Sequence, residues 1–357
     1  ANAVSAKARS ITSIMAHKTF FHQGKEMLSH LQDNTIGLTL SDDPRALPSP
    51  PDEACFHGKF RAGSVPKGVD KRTITVEEQA RIHSQNIRNG PRRDLGHRHI
   101  DLHGPWPKPD LDGCTCFVSL TSEQGLPAYF RPMRKPSDLM ETINEVTNEE
   151  HGAFSGFTMD CDPNASVSHS HSIRGPLEKY CDQLGIPLHL QTPGKHVAVA
   201  ERAGRSVYEA CTASMQDAGV NAEMFMSFAV RMYECIRRVT PSKALGWKTP
   251  HELLTGKKPS IAHIRRGFAP ALLHRDKAAR GAGAAFKPRV QRAIYLGQAP
   301  RQPYGTSLFL NLNTGKKCTD SDAFIDDYFT LVTRDPITGD WSWHMDLFDS
   351  EAKLTSF

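Results

Sequence analysis

At 357 residues, 38% of them hydrophobic, the chain is long enough for two or three compact units and can bury a sizeable core in at least one of them. Its eight cysteines are scattered along the whole length, which argues against a secreted disulfide scaffold and for reduced intracellular thiols; no apolar run nears the roughly 18 residues of a membrane-spanning helix, and no secretory leader pattern opens the chain. The formal charge of +5 is small, yet Lys and Arg crowd the stretch from Arg231 to Arg292, so a polyanionic partner such as nucleic acid is expected, with a merely solvated basic face as the plainer alternative.

Residues 1–34 read as helical, because Ile11, Ile14 and Met15, then Phe20, Phe21, Met27, Leu28 and Leu31 recur at helix-like spacing. Repeated Pro and acidic residues from Asp42 to Pro51 forbid a continuous helix or central strand and make a linker. Lys71–Arg93 is polar and holds TVEE at Thr75–Glu78, a capping-box-like start to a short helix. From Leu95 the texture changes to short apolar runs, Cys116–Leu120 and Ala128–Phe130, broken by Gly and Pro as in a strand meander. Ser137–Thr147 is amphipathic with an acidic first turn, and Gly175–Leu184 and Ala198–Met215 supply two more helical patterns. The His-rich stretch Ser166–Ser172 (SVSHSHS) reads as loop. After Val239 the chain is basic and Pro-punctuated, and from Arg292 strand-like runs return at Ala293–Gly297 and Ser307–Leu312 with a turn at Asn313–Gly315, as in a small, barrel-like β unit. The succession of strands, helix, strand and helices is an α/β arrangement.

Two strings carry a family resemblance. Val197–Arg205 (VAVAERAGR) and Pro241–Pro259 (PSKALGWKTPHELLTGKKP) closely resemble the integrase of copia-type LTR retrotransposons, in which a "GVAER" helix start bears a catalytic glutamate and a "PSKAL..KTP.EL.TGKKP" segment leads toward the C-terminal domain. His99–Pro107 (HIDLHGPWP) looks like the family's "D..GP.P" element, and Arg292–Gly297 with Asp322–Phe329 resembles its "GIFLGY…VFDE" end. A chain that starts with Ala1 fits a fragment of such a polyprotein.

The resemblance implies a ribonuclease H-like α/β catalytic core over 95–239, preceded by a small helical zinc-binding-like segment over 1–70 and followed by a basic linker and small β domain over 240–330, with a tail over 331–357. It implies a polynucleotidyl transferase that processes DNA 3′ ends and joins them to target DNA, using two Mg²⁺ (or Mn²⁺) ions held by three carboxylates from remote parts of the chain. Those would be Asp101, Asp162 and Glu201. Asp162 is favoured over Asp160 because Cys161–Asn164 (CDPN) aligns with "SDPG", although the family's Gly-Gly-Glu-Phe is missing. Arg205 and Tyr208 share a helical face with Glu201, an arrangement that suits phosphate contact, while Gly204 inside that helix looks like drift. DNA contacts are expected from Lys195, Arg202, Arg205, Lys257, Lys258, Arg265 and Arg266. A structural Zn²⁺ would be held by His17, His22, Asp52 and Cys55, Asp52 standing where the family has Cys and His57 lying nearby as a substitute. The family also implies DNA partners, a homo-oligomer, no membrane, and residence in the nucleus and in a cytoplasmic virus-like particle. The alternative is an inactive integrase remnant that only binds nucleic acid.

Overall fold

The computed structural model describes residues 8–59, 96–122, 128–150, 154–160, 167–191, 198–275, 289–300, 302, 305–335 and 340–343. The Thr75–Glu78 helix start and the Lys195 and Asp162 positions lie outside these residues.

The chain opens with a strand, β1 (Arg9–Ile11), paired in parallel with β2 (Leu38–Leu40). Within the stretch expected as helical, this is a correction: strand pairing takes Arg9–Ile11, and Thr12 starts a new element by accepting the Met15 N–H on its side chain. Three short helices follow between the strands, Ser13–Thr19, Lys25–Ser29 and Leu31–Asn34. A further short helix, Glu53–Lys59, lies beyond the Pro-rich linker.

A mixed five-stranded sheet forms the centre, giving the expected α/β class. Its strands are β3 (His97–His103), β4 (Cys116–Thr121), β5 (Ala128–Met133), β6 (Gly156–Asp160) and β7 (Leu188–Gln191), in the order β5-β4-β3-β6-β7. The first three are antiparallel neighbours, and β6 and β7 run parallel to β3. Alternation along β4 divides its side chains between two cores. Cys116, Val118 and Leu120 pack with Ile143, Val146 and Leu177 of the helices Leu139–Glu150 and Val167–Leu184. Phe117 faces the opposite core, which contains Val207 and Cys211 of the Ala198–Ala218 helix and Phe228 of the Ala222–Val239 helix. The Val167–Leu184 helix begins inside the His-rich stretch expected as loop. Asn221 caps the Ala222–Val239 helix by accepting the Glu223 N–H, and buried Glu234 ties that helix to β5 by accepting the Phe130 N–H at 2.7 Å and pairing with Arg131 at 3.0 Å.

A second sheet is antiparallel and takes the order β11-β10-β9-β8-β12. It comprises β8 (Pro270–His274), β9 (Val290–Gln298), β10 (Ser307–Asn311), β11 (Lys316–Asp320) and β12 (Phe324–Ile325). Among the described residues β11 and β12 are its open edges, so no barrel closes there. A last hairpin, β13 (Val332–Arg334) with β14 (Trp341–Trp343), docks on the end of the Ala198–Ala218 helix, where Trp341 Nε1 donates to the Ala218 carbonyl at 2.9 Å.

Candidate active cleft and metal-ligand cluster

Asp101 and His103 sit two residues apart on the middle strand β3 and therefore share a face, the one turned toward the Ala198–Ala218 helix. Glu201 lies in the first turn of that helix. An open cleft of about 430 Å³ lies between strand and helix, lined by His57, Gly58, Asp101, His103, Glu201, Arg205, Tyr208, Glu209 and Thr212. Two of the three expected carboxylates therefore meet in one cavity, with Arg205 and Tyr208 on the expected helix face. Arg205 donates to Glu201 at 2.8 Å, both side chains being about half exposed. An exposed pair of this spacing is worth about 0.3–0.5 kcal/mol, too little to hold either group against a better partner.

His103 is the residue that sequence reasoning missed. Its Nε2 lies 3.5 Å from Asp101 Oδ2 and 3.2 Å from Ser119 Oγ, and burial pushes its pKa down to about 4. The ring is therefore neutral near pH 7 and brings no positive charge to Asp101. Its signal was Gly204: a Cβ at that position would overlap His103 Cε1. The glycine read as drift is the notch that admits the ring.

The second expected carboxylate, Asp162, lies outside the described residues. β6 runs parallel to β3 with Met159 opposite Ile100, so its last residue, Asp160, comes level with Asp101. Of the expected DNA-contacting residues, Arg202, Lys257 and Lys258 are exposed. Arg266 is not available in this way: it is buried, paired with Asp217 at 2.6 Å, and donates to the Asp327 carbonyl at 3.2 Å. Arg265 pairs with Asp327 at 3.0 Å. Both belong to a network that fastens the C-terminal sheet to the helices, because a buried guanidinium needs fixed acidic partners.

On the other side of the Glu53–Lys59 helix, His17, His22, Asp52 and Cys55 converge, with one donor atom from each lying within 4.8 Å of all the others. His17 Nδ1–H donates to the Gln23 carbonyl at 2.7 Å, which fixes the tautomer and turns the Nε2 lone pair toward Cys55 Sγ at 3.2 Å and Asp52 Oδ2 at 3.7 Å. His22 Nδ1 stands 3.1 Å from Asp52 Oδ2 and 3.7 Å from Cys55 Sγ. Phe21 and His22 both take left-handed φ, of 56° and 57°, and this turn brings His22 back to face His17. Asp52 Oδ1 accepts the Cys55 N–H at 3.0 Å, so Asp52 also caps the helix. Cys55 is pushed up to about 11, by burial first and then by Asp52. Burial works against the Asp52 charge too, but His22 and then His17 outweigh it and hold the carboxyl well below its usual range.

Ligand bonds of about 2.0–2.3 Å imply edges of about 3.3–3.8 Å between the donors of a tetrahedral cation. The four His–Asp and His–Cys separations, 3.1–3.7 Å, are close to that, and all four atoms lie within 4.8 Å of one another. Asp52 Oδ2 is buried without a well-formed hydrogen bond, and His22 Nε2 lies 3.8 Å from Asp217, a carboxylate behind a ligand as metal-bound histidines commonly have. His57 takes no part and lines the cleft instead.

No protein-family model matches the chain, and no curated protein matches it. Among solved structures it is similar to the catalytic core domain of BIV integrase, at 17% identity over 46% of this chain and 95% of that one, with a TM-score of 0.32. It is also similar to a chain of the simian T-cell lymphotropic virus intasome in complex with PP2A regulatory subunit B56 gamma, at 13% identity over 89% of this chain and 96% of that one, with a TM-score of 0.36. Likeness at this level carries no argument about the chemistry, which rests on the residues themselves.

Proposed function

We propose that the chain is the integrase part of a copia-type retrotransposon polyprotein, a polynucleotidyl transferase that trims the 3′ ends of element DNA and joins them to target DNA. The reading rests above all on Asp101 and Glu201, remote in sequence, lining one cleft at the positions where the motif resemblance puts the first and third carboxylates. The ribonuclease H-like core is supported by a mixed sheet with helices on both faces. Asp101, Asp162 and Glu201 would hold two Mg²⁺ or Mn²⁺ ions, hard cations that suit carboxylate oxygens and an open site with room for water. Bound there, such a pair activates the attacking oxygen and stabilises the leaving one.

The chain's own side chains do the rest. Arg205 exchanges its weak pair with Glu201 for a DNA phosphate, and exposed Arg202 adds a second cationic contact at the rim. Neutral His103 fixes Asp101 without competing for its charge. Lys257 and Lys258 track the DNA backbone, and the His17, His22, Asp52 and Cys55 cluster holds a structural Zn²⁺. Action as a homo-oligomer on paired DNA ends, in the nucleus after passage through a virus-like particle, follows from the same resemblance.

The test is strand transfer on oligonucleotides that mimic element ends, with Mg²⁺ or Mn²⁺. Glu201→Gln is expected to lower joining by about 10³-fold or more, the scale for removing one member of a group that acts as a unit, while DNA binding persists. Salt-sensitive binding by the unaltered protein, with no joining under either cation, would replace the enzyme with a DNA-binding remnant.

A further inference from the structure

Asp101 comes from a strand and Glu201 from a helix, so the distance between them depends on what is packed in between. That filler is the His103 imidazole. On one side it stacks on Phe117, with ring centroids 4.4 Å apart and planes at 21°, and Tyr208 meets its edge at 5.8 Å and 82°. On the sheet side Nε2 reaches Ser119 Oγ and Asp101 Oδ2, at 3.2 and 3.5 Å. On the helix side it enters the space left by Gly204, where no Cβ fits. Glycine is a poor residue for a helix interior, and its place here, one turn after Glu201, follows from the ring that it admits. Phe117 and Tyr208 are themselves in edge contact, at 5.4 Å and 61°, so aromatic neighbours leave the ring little room to shift.

We propose that His103 is a positioning residue for the metal-binding carboxylates: seated in the Gly204 notch, its ring sets how far the Glu201-bearing helix stands from β3 and orients the Asp101 carboxylate. This rests on the reading of the cleft as a two-metal site. It assigns His103 no proton transfer and no contact with substrate. Its effect is on the spacing of carboxylates that must share ions roughly 3.5–4 Å apart. A small displacement of the helix then weakens ion binding without unfolding the protein.

The experiment measures Mn²⁺ binding to the full chain by electron paramagnetic resonance, with zinc present to fill the four-residue cluster, and follows folding by urea denaturation. The unaltered protein should bind Mn²⁺ at a site that Glu201→Gln removes. Gly204→Ala, which drives the ring out of its notch, and His103→Asn, which empties it, should each weaken that binding about tenfold or more, with a matching rise in the Mg²⁺ concentration needed for half-maximal joining. Should Gly204→Ala fail to fold, His103→Asn carries the test, since it creates space instead of a clash. Unchanged Mn²⁺ affinity in the folded variants overturns the inference alone. Absence of any Mn²⁺ site sensitive to Glu201→Gln overturns the proposed function, and this inference with it.

Discussion

His103 and His263 are both held neutral, at about 4, by burial, Arg265 adding to the effect at His263. In the unfolded chain each would take up a proton near pH 6.5. Between those two values the unfolded state binds more protons than the folded one, so the stability these side chains contribute is fully present above about pH 6.5 and is lost as the pH falls toward 4. The urea midpoint should therefore drop between about pH 7.5 and about pH 5, and His263→Gln, away from the cleft, should flatten that slope; an unchanged slope would show that His263 is not held neutral. The arginines make a related point about what sequence can show. Composition located the basic stretch, but it does not distinguish exposed Lys257 and Lys258 from Arg266, which pairs with Asp217 and donates to the Asp327 carbonyl, both at distant positions. Nor does it reveal His103, whose significance lies in contacts with Phe117, Ser119 and Gly204.

Elements with a sustained period or a compact apolar run are legible in the amino-acid pattern alone. The Ala198–Ala218 helix lies where its amphipathic pattern puts it, β4 and β5 where the short apolar runs do, and the AERAGR string locates Glu201 on its helix. Short elements are not. β1 spans three residues, too few for a period to show, and the Ser-His alternation that suggests a loop is absorbed into the start of the Val167–Leu184 helix. The Glu53–Lys59 helix is seven residues long, and its position depends on a close crossing with the Ala198–Ala218 helix. A Cβ at Gly58 would lie 2.6 Å from the Glu209 carbonyl oxygen and 2.7 Å from Ala213 Cβ. Gly58→Leu should therefore lift this helix and lower stability by about 1–3 kcal/mol, the usual range for overpacking, read from the urea midpoint at constant slope. A midpoint equal to that of the unaltered protein would mean that the helices do not cross so closely.

At the scale of the molecule, one hydrophobic core runs from Ile11 through Phe228 to Leu310, joining the N-terminal helices, the two long helices and the C-terminal sheet. Ion pairs follow the same path: Arg9 to Asp327 at 2.9 Å, Lys18 to Asp217 at 2.7 Å and Arg266 to Asp217 at 2.6 Å. The parts joined in this way should unfold together, so far-UV circular dichroism and tryptophan fluorescence should report one coincident thermal transition, and a zinc chelator should lower both signals' midpoint alike. Two separated transitions would show that the shared core does not couple them. The Glu53–Lys59 helix adds one more consequence. It presents Cys55 to the four-residue cluster and His57 and Gly58 to the cleft, so the two are sockets sharing a partition. On the proposed function, a broad chelator would act through that partition as well as through the proposed carboxylate-bound ions, and stepwise reloading, zinc first and magnesium second, would separate the two effects.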